Sequence, residues 1–346
     1  MKISLCIPTY NRAAHLQNCL ASIAEALSHS GDAVRDEVEI CISDNGSPDD
    51  TAEVVRQAAK TLPLKYHRNP VNLGIPRNFL NVVSMAQGDF VWLLGDDDLL
   101  MPRALAQLSH TIDAHPEVDF FYINSFHLST QHVFSYPQPF STENLPARMT
   151  PFSAWPRSME LRFFDLIDPR ISFDFLGGMF LAVFRRSSWV QHTGVLDAAA
   201  IADPRVFSHF DNTFPHVKIF AAAFAGSRAY LHADPLSVCL TGAREWAPMY
   251  PLVKSVRLVE ALEEYRRRGL SLARYLRCRN AALANFLPDL VSMYVYRPRS
   301  GFAYVNPVRL VLANCVYPNF YLSLFTFALR KTGLALRRLV SGAGEK

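Results

Sequence analysis

The sequence predicts an α/β protein built on a mostly parallel sheet with helices on both faces. In residues 1–125, short apolar runs alternate with stretches whose apolar residues recur at helical spacing. Polar clusters follow several of these runs at the point where a strand would end. Strands that alternate with helices in this way usually form a parallel sheet, because each helix carries the chain back to the same edge.

Apolar runs predict five strands, at residues 3–7, 39–43, 64–67, 90–94 and 118–123. Apolar residues three and four positions apart predict the helices between them, at residues 16–27, 48–59, 77–87 and 104–114. Ser47, with Asp50 three residues later, resembles a capping box, so we expect Ser47 to cap the second helix. Gly88 is expected to end the third helix as its C′ residue.

The pattern is less regular after residue 125. Residues 126–175 are rich in Pro, Ser and aromatic side chains, which predicts an irregular insertion over the sheet edge. Residues 177–184 predict a further strand and residues 212–225 a helix. From residue 251 onward the pattern is helical and rich in arginine.

The composition excludes several classes of protein. Half of the 346 residues are hydrophobic, which argues against global disorder. A net charge of +4 is too small to indicate nucleic-acid binding and fits an anionic small substrate or membrane surface. The six cysteines lack the spacing of a zinc or redox motif, which favours a reducing compartment. The apolar run at 3–7 is too short for a signal peptide, and no run reaches the ~20 apolar residues of a spanning helix.

Three polar clusters follow predicted strands, at residues 8–12, 44–50 and 96–98. In parallel sheets, ligands bind in the crevice beyond the carboxyl ends of the strands. We therefore expect the three clusters to meet at one crevice.

Asp96, Asp97 and Asp98 are the most unusual of these clusters. Adjacent carboxylates raise one another's pKa unless a cation is present, and oxygen-only ligands suit Mg²⁺ or Mn²⁺. Such an ion would hold a diphosphate and stabilise it as a leaving group. The alternative is a solvated acidic turn at the start of a helix.

Asp44 and Arg77 are candidates for nucleotide contacts. A turn followed by a helix cap accounts for Gly46, Ser47 and Asp50, but it does not account for Asp44. A carboxylate at this strand end could accept hydrogen bonds from the N–H groups of a uracil or guanine base. Arg77 lies at the start of a predicted helix, where a cation is poorly placed for the helix dipole, so a phosphate partner is one account of it. A surface arginine is the other account.

The ordered motifs of this region resemble those of family 2 glycosyltransferases, which have the GT-A fold. The matching segments are Ile7-Pro8-Thr9-Tyr10-Asn11-Arg12, Ser43-Asp44-Asn45-Gly46-Ser47 with Asp49-Asp50-Thr51, Asn72-Leu73-Gly74 with Arg77-Asn78, Gly88-Asp89-Phe90, and Leu94-Gly95-Asp96-Asp97-Asp98. The resemblance covers residues 1–125. The Gly-Asp-Asp-Asp form is similar to a branch that includes abequosyltransferase-like enzymes of bacterial polysaccharide biosynthesis.

The resemblance implies a role for each matching residue. It implies donor contacts from Pro8, Tyr10 and Asp44 around the base and ribose, from Arg77 near base or phosphate, and from Asp96 at the ribose. It implies metal binding by Asp97 with Asp98 beside it, and Mn²⁺ or Mg²⁺ as the cofactor. Two positions depart from the usual pattern: Asn45 stands where a second Asp is common, and Gly95 where many members have the first Asp of the metal motif.

The family inverts the anomeric centre, which requires a general base for the acceptor hydroxyl. Members usually supply an acidic residue before a helix in the second half of the domain, and Asp211 is the candidate here. It could instead be a helix N-cap. Asp203 and His216 are alternatives, although a lone His in an apolar helix is more often a core residue.

A polar loop at residues 241–246 contains Arg244 and Trp246. In the family a loop near this position often closes over the diphosphate, so the resemblance implies that Arg244 pairs with the phosphates. Trp246 would shield the site or stack on a sugar. An ordinary surface loop is the alternative.

The last ~40 residues combine aromatic side chains with cations, a composition typical of helices in a membrane interface. The aromatic residues are Tyr317, Phe320, Tyr321, Phe325 and Phe327, and the cations are Arg330, Lys331, Arg337 and Arg338. We expect peripheral contact with the cytoplasmic face of the inner membrane. A helix packed on the protein with its cations in water is the alternative.

The sequence thus predicts a cytoplasmic, metal-dependent glycosyltransferase that moves a sugar from a nucleotide donor, expected to be a UDP-sugar, to a glycan or lipid-linked acceptor. Residues 1–245 would form the GT-A domain, with a nucleotide-binding half at 1–125 and an acceptor half at 126–245. Residues 246–346 would form a helical region. The alternatives are a sugar nucleotidyltransferase, against which the lack of glycine in residues 8–12 counts, and an inactive family member that acts as a binding subunit.

Overall fold

The computed structural model describes residues 2–242 and 246–329. The chain divides into two compact units, one of Met1–Val206 with Phe210–Arg244 and one of Phe207–His209 with Glu245–Lys346. The first unit contains the sheet and the second is helical. The predicted α/β class is confirmed.

Ten strands form the sheet of the first unit. They are β1 Ile3–Thr9, β2 Val38–Asp44, β3 Leu64–Arg68, β4 Phe90–Leu93, β5 Asp98–Leu100, β6 Phe120–Ser129, β7 Thr150–Pro151, β8 Met159–Arg162, β9 Ala182–Arg185 and β10 Arg228–Thr241. Eight of them lie in the order β3-β2-β1-β4-β9-β6-β10-β5, while β7 pairs with β6 and β8 pairs with β10. The pairs within β3-β2-β1-β4 are parallel, as predicted, and antiparallel β9 joins this part to the parallel pair β6 and β10.

Helices precede, connect and follow these strands. They are α1 Ala13–Ser28, α2 Asp32–Asp36, α3 Thr51–Ala58, α4 Ile75–Met85, α5 Ala104–Ala114, α6 Thr130–Phe134, α7 Arg186–His192, α8 Ala198–Ala202, α9 Phe210–Thr213, α10 Pro215–Ala223, α11 Tyr250–Leu252, α12 Leu258–Arg267, α13 Leu272–Ala282, α14 Phe286–Val295, α15 Pro307–Asn314 and α16 Pro318–Leu329. In the first unit, α4 packs on β1 and β2, and α1 packs against α3.

The central strand β1 sets the position of the three polar clusters. All seven of its residues are buried, as expected of a strand covered on both faces. In the parallel register Thr9 lies opposite Asp44, and Cys6 lies opposite Leu93. The loops that follow β1, β2 and β4 therefore leave the sheet at the same edge.

The helix predicted at 48–59 is α3, which begins three residues later than the capping-box pattern predicts. Ser47 is not its cap, because the Ser47 hydroxyl accepts a hydrogen bond from the Asn11 backbone N–H at 2.8 Å. Asp49 acts at the helix start instead, since its carboxylate accepts from the N–H and the hydroxyl of Thr51 at 3.2 and 2.6 Å. The loop thus ties β2 to the segment after β1 before α3 begins.

The helix predicted at 77–87 is α4, which is displaced by two residues toward the N-terminus. Gly74 precedes it with φ of +87°, and Pro76 fits the first turn, where its missing N–H is not needed. The prediction that Gly88 ends this helix as its C′ residue is wrong, because α4 ends at Met85. A Cβ on Gly88 would lie 2.7 Å from the Ser4 hydroxyl and 3.0 Å from β1 backbone, so a glycine permits this close approach.

Two predicted elements of the second half are shorter than expected. The strand predicted at 177–184 is limited to β9, which follows a loop where Phe175 and Leu176 adopt positive φ of 50° and 69°. The helix predicted at 212–225 is divided into α9 and α10, because Pro215 lacks an N–H and restricts the residue before it. Residues 126–175 are also more ordered than predicted, since β6 extends through Ser129 and β7 and β8 add short strands.

In the second unit, the inner faces of five helices share an apolar core. Its buried members are Val259, Leu283, Phe286 and Phe320, and side chains from α13 to α16 pack around them. Within the described residues, no single helix has both the length and the apolar composition to cross a bilayer. The pair α15 and α16 meets these two criteria jointly, with a bend of 107° between them.

Candidate functional site

The candidate site lies at the sheet edge where β1, β2 and β4 end. β1 leads into Tyr10 and Arg12, β2 ends in Asp44, and β4 is followed by a tight turn through Asp96 and Asp97. The predicted meeting of the three clusters is supported by hydrogen bonds and ion pairs that join them across 30 to 90 residues of sequence.

Asp96 is a buried carboxylate held by the segment after β1. Its Oδ2 accepts from the Thr9 hydroxyl at 2.8 Å, and its Oδ1 lies 3.1 Å from Arg12 Nε. Burial raises the pKa of Asp96 to about 7, the Arg12 charge opposes that rise, and the neighbouring Asp97 adds to it. A positive charge placed beside Asp96 therefore stabilises its ionised form.

Arg12 also contacts Asp97, so a single guanidinium bridges two carboxylates. The distance from Arg12 Nη2 to Asp97 Oδ2 is 2.9 Å. The Asp97 side chain retains 15% exposure, against 10% for Asp96. The site thus already carries one cation on the oxygen atoms that a metal ion would use.

Asp98 has a different environment. It is buried as the first residue of β5, and its Oδ2 accepts the Gly95 N–H at 2.7 Å, closing the turn after β4. A Cβ on Gly95 would lie 2.8 Å from Asp97 Oδ1 and 2.9 Å from Asp98 Oδ2. The glycine at this position, where the family pattern often has Asp, is required by the packing of the two carboxylates that follow it.

Asp44 lies at the end of β2 and is fully buried. Its Oδ1 accepts the Ser47 N–H at 2.8 Å, its Oδ2 accepts the Tyr66 hydroxyl at 2.7 Å, and Arg68 Nε is 3.6 Å from Oδ2. Burial and the Asp44 carboxylate raise the pKa of Tyr66 above its ordinary range. Each Asp44 oxygen therefore has a protein partner, and the buried carboxylate fixes the turn after β2 against Tyr66 of β3.

Asn45 organises the loop after β3. Its Nδ2 donates to Asn72 Oδ1 at 2.8 Å, and its Oδ1 accepts from Leu73 N–H at 2.9 Å and Asn69 Nδ2 at 3.0 Å. An aspartate could not make the first of these bonds. This explains the departure from the family pattern, because a residue that both donates and accepts is needed here.

Asn78 links α4 to the sheet edge. Its Oδ1 accepts from the Ser43 hydroxyl at 2.7 Å, and its Nδ2 donates to the Ser43 carbonyl at 2.9 Å and the Thr9 carbonyl at 3.3 Å. These bonds hold the start of α4, and with it Arg77, beside the ends of β1 and β2.

The remaining predicted donor residues lie near this edge with different exposure. Pro8 is buried within β1, Tyr10 is 38% exposed just after it, and Arg77 is exposed in the first turn of α4. Arg244 lies outside the described residues. Trp246, its predicted neighbour in the loop, stacks on Tyr250 within the second unit, with ring centroids 5.9 Å apart.

The metal prediction can be tested against the carboxylate geometry. Asp96 and Asp97 direct oxygen atoms at a shared cation, here Arg12, and oxygen donors suit Mg²⁺ or Mn²⁺. These residues fit such an ion. Asp98 fits less well, because one of its oxygen atoms closes the turn at Gly95.

Among the described residues, the side chains of a second group also lie close enough together to bind a metal ion, namely His115, Glu117 and Glu160. It lies near the amino end of β6, which runs in the same direction as β4, and therefore at the opposite sheet edge from Asp96. Arg228 Nη2 contacts Glu160 at 2.5 Å, so this group already forms an ion-pair network.

Asp211, the predicted base, lies in α9 and is paired. Its Oδ2 accepts from Lys218 Nζ and from the Asp197 N–H, both at 2.6 Å, and the side chain is 9% exposed. The pair joins α9 to α10 and to the start of α8. A carboxylate in such a pair also has a structural role, so its role as the base stays a prediction.

The two alternative bases have partners of their own. Asp203 forms an ion pair with Arg205 at 2.7 Å. His216 is buried, its Nε2 lies 3.1 Å from the Gly177 carbonyl, and burial lowers its pKa to about 4. His216 therefore resembles the core histidine that its apolar helix favours.

Sequence reasoning assigned no roles to several residues that build the site, namely Thr9, Arg12, Tyr66 and Asn69. One signal was available for Arg12, which is a cation in a cluster expected to meet three carboxylates. Tyr66 had no signal, because its contact with Asp44 depends on the parallel register of β2 and β3.

Known protein families match the first half of the chain. The family model for glycosyl transferase family 2 matches residues 4–164. Abequosyltransferase RfbV of Salmonella typhimurium is 43% identical over 120 residues, which is 34% of each chain. The poly(ribitol-phosphate) β-N-acetylglucosaminyltransferase TarS of Staphylococcus aureus is 31% identical over 116 residues, or 33% of this chain and 19% of TarS. The chain thus aligns with about a third or less of the length of these relatives.

Solved structures extend the likeness to most of the chain. S. aureus TarS 1–349 in complex with UDP has a TM-score of 0.52 at 18% identity and covers 83% of this chain and 71% of its own. A mannosyltransferase of Pyrobaculum calidifontis in complex with GDP-Man and Mn²⁺ has a TM-score of 0.51 at 17% identity, with 93% and 83% covered. At these identities the likeness shows the fold, which is GT-A with a C-terminal helical region. Residues 4–164 thus match the glycosyl transferase family 2 model, and the fold of the chain is that of the solved glycosyltransferases.

Proposed function

We propose that the chain is an inverting glycosyltransferase that moves a sugar from a nucleoside-diphosphate donor to a glycan or lipid-linked acceptor of a cell-surface polysaccharide. The observation that carries the proposal is the bridged pair Asp96 and Asp97 at the same sheet edge as Asp44. The relatives are named as glycosyltransferases, and solved relatives hold UDP or GDP-Man.

The donor would bind along this edge. Asp44 and Tyr10 are proposed to contact the base and ribose, because Asp44 ends β2, Tyr10 follows the adjacent parallel strand β1, and the Tyr10 ring is exposed. Arg77, exposed and held near Thr9 and Ser43 through Asn78, is proposed to contact base or phosphate. A UDP-sugar is the donor we propose.

The metal is proposed to be Mn²⁺ or Mg²⁺, held by Asp97 with Asp96 beside it. When bound, such an ion would neutralise charge on the leaving diphosphate. Arg12 would have to release Asp97 to admit the ion, and its guanidinium could then contact a phosphate. Thr9 would keep Asp96 oriented throughout.

In the proposed reaction the acceptor hydroxyl oxygen forms a bond to the anomeric carbon as the bond from that carbon to the phosphate oxygen breaks. The nucleoside diphosphate leaves with the electron pair, and the hydroxyl proton passes to a base. Asp211 is proposed as that base. For this it would have to exchange Lys218 for the acceptor hydroxyl, or share its second oxygen with it.

A second candidate is a binding subunit without catalytic activity. The observation that favours it is the pairing of Asp211 with Lys218, which neutralises the predicted base. Such a protein would bind nucleoside diphosphate but would not hydrolyse or transfer a sugar from any donor.

The first experiment is calorimetric titration of the protein with UDP, GDP, CDP and dTDP, with and without Mn²⁺. We expect metal-dependent binding of one diphosphate, which then selects the nucleotide sugars for a transfer assay. The matched control is Asp97→Asn, which is expected to lose the metal-dependent part of the binding. If no diphosphate binds under any metal condition, the proposed function is wrong.

A further inference from the structure

The last described helix of the second unit, α16, is apolar on its outer surface. Its twelve residues contain no charged side chain. Tyr321 and Phe325 are each 62% exposed, and Leu322, Leu324 and Leu329 are also exposed. A helix that is apolar all round is normally buried in a protein core or in a membrane.

The outer faces of α14 and α15 have the same character. In α14 the exposed residues Val291, Tyr294 and Val295 recur at helical spacing, so they share one face. In α15 the exposed residues Val308 and Leu312 lie one turn apart. We name these outer faces of α14, α15 and α16 the apolar surface.

The apolar surface is separate from the hydrophobic core of the second unit. The opposite faces of the same helices already pack together through Phe286 and Phe320, with Leu310 and Val311 against them. Ser323, between exposed neighbours on α16, is buried and donates to the Phe320 carbonyl at 2.7 Å. Each helix therefore has one side in the core and a second apolar side facing outward.

Charge is segregated along this part of the chain. Between Asp289 and Glu345 the sequence has no acidic residue but has seven Arg and Lys residues. Three of the seven are described and exposed, namely Arg297 and Arg299 just after α14, and Arg309 in α15. Arg297 lies over the Tyr294 ring at 4.9 Å, so a cation and an exposed aromatic ring occur together.

We propose that the apolar surface, with its arginines, docks on an anionic lipid bilayer. The apolar side chains would enter the acyl boundary, and Arg297, Arg299 and Arg309 would contact lipid phosphates. Docking in the interface agrees with the 107° bend between α15 and α16, since neither helix alone meets the requirements of a span. A second copy of this chain would bring the same arginines against one another, which disfavours self-association as the occupant.

The test is flotation of the full chain with phospholipid vesicles. We expect it to float with vesicles of equimolar phosphatidylglycerol and phosphatidylcholine and to float much less with phosphatidylcholine alone. The double substitution Leu322→Glu with Phe325→Glu should weaken binding to anionic vesicles by about tenfold or more, because it places charge in the inserted face. The pair Arg297→Gln with Arg299→Gln should also weaken it by about tenfold, with the loss removed at high salt.

The matched control is Val190→Glu with Met159→Glu, the same change of charge at exposed apolar positions of the first unit. It should leave vesicle binding unchanged. Circular dichroism checks that each variant is folded, and the arginine pair lies outside any helix, so it tests the proposal if the α16 variant is misfolded.

Two outcomes would overturn the proposal. One is equal flotation by the wild-type chain and both variants. The other is a light-scattering mass that shows a dimer converted to a monomer by Leu322→Glu with Phe325→Glu, without binding to vesicles. Vesicle binding needs no nucleotide, so it is tested independently of donor binding; only the consequence that the acceptor is lipid-linked rests on the proposed function.

Discussion

Asp97 and Asp98 are adjacent in sequence but differ in what holds them. Asp97 contacts the side chain of Arg12, whereas Asp98 closes a backbone turn with Gly95. Asparagine has the same shape as aspartate and keeps one carbonyl oxygen, but it loses the charge that a metal requires. Substitution by Asn therefore separates a role in metal binding from a role in the turn.

We expect Asp97→Asn to lower sugar transfer by about a hundredfold or more and to remove its dependence on Mn²⁺. Asp98→Asn should have a smaller effect, because its carbonyl oxygen can still accept the Gly95 N–H. Turnover measured against Mn²⁺ concentration gives both values. Full activity with unchanged metal dependence in Asp97→Asn would show that it is not a ligand, and a matching loss in Asp98→Asn would make both residues ligands.

His216 makes a specific prediction about acid stability. Burial lowers its pKa to about 4 in the folded protein, against about 6.5 in the unfolded chain. The unfolded state therefore binds an extra proton between these values, and the free energy of unfolding should fall by about 3 kcal/mol as the pH drops from about 6.5 to 4. Above pH 6.5 this contribution is fully present.

The measurement is urea unfolding across this pH range for the wild-type chain and His216→Gln. Glutamine can still donate to the Gly177 carbonyl but does not titrate, so its curve should lack this component. Parallel pH curves for the two proteins would mean that the pKa of His216 is the same in the folded and unfolded states, which would contradict the prediction.

At the residue scale, the sequence predicted the kind of site better than it predicted the directions of the side chains. Three consecutive carboxylates after a buried strand were enough to propose a cation site. They could not show that Asp98 turns toward Gly95, because that depends on the turn conformation after β4. Nor could they show that Arg12 reaches Asp96 across 84 positions, because side-chain reach depends on the sheet register.

At the element scale, the loop between β3 and α4 depends on one amide. Asn45 both donates to Asn72 and accepts from Leu73. We expect Asn45→Asp to lower the free energy of unfolding by about 1–3 kcal/mol, since the Asn72 oxygen would lose the Asn45 donor and face a buried carboxylate instead. This substitution would restore the residue that is more usual in the family, yet it should destabilise this chain.

Equilibrium unfolding in urea measures this loss, with Asn11→Asp as the control. Asn11 is exposed and uses its backbone N–H, which the substitution keeps, so its effect should stay within about 0.5 kcal/mol. Equal effects of the two variants would show that the side chain of Asn45 does not hold the loop.

The junction of α9 and α10 provides a test of the base. If Asp211 is the base, Asp211→Asn should abolish transfer with diphosphate affinity and stability nearly unchanged, and Lys218→Met should retain donor binding. If the pair is only structural, both variants should lower stability by about 1–3 kcal/mol and retain transfer. Single-turnover kinetics, calorimetry and urea unfolding of the two variants separate these results.

Elements with strong periodicity were predicted well, and elements that depend on tertiary contacts were not. The prediction of α5 at 104–114 matches the structure. The helix at 212–225 was predicted as one element because its apolar spacing continues across Pro215, although the proline itself was a visible signal for the break. The short strands β7 and β8 pair with parts of β6 and β10, and the sequence around them has no alternation that would reveal them.

At the scale of the whole molecule, charge is distributed unequally between the two units. Residues 245–346 hold 16 of the 35 basic residues but only six of the 31 acidic residues, so the first unit is acidic overall. An acidic unit disfavours an anionic donor at long range. Binding of a nucleoside diphosphate should then depend strongly on local cations, among them Arg12, Arg77 and the metal.

This dependence can be followed through thermal unfolding. A ligand at a hundred times its Kd stabilises the folded state by about 2.7 kcal/mol, which corresponds to a shift in Tm of roughly 5–10 °C for a unit of this size. Trp92 and Trp189 are fully buried in the first unit, so intrinsic fluorescence reports mainly on that unit.

We expect the best-binding diphosphate to raise the Tm of the first unit in Mn²⁺ and to raise it much less after the metal is removed by a chelator. Asp97→Asn should behave in Mn²⁺ as the wild-type chain behaves in chelator, because both lack the bound cation. A shift of the same size with and without metal would mean that Arg12 and Arg77 suffice for the phosphates and that the carboxylate pair at Asp96 and Asp97 serves to hold Arg12 instead of an ion.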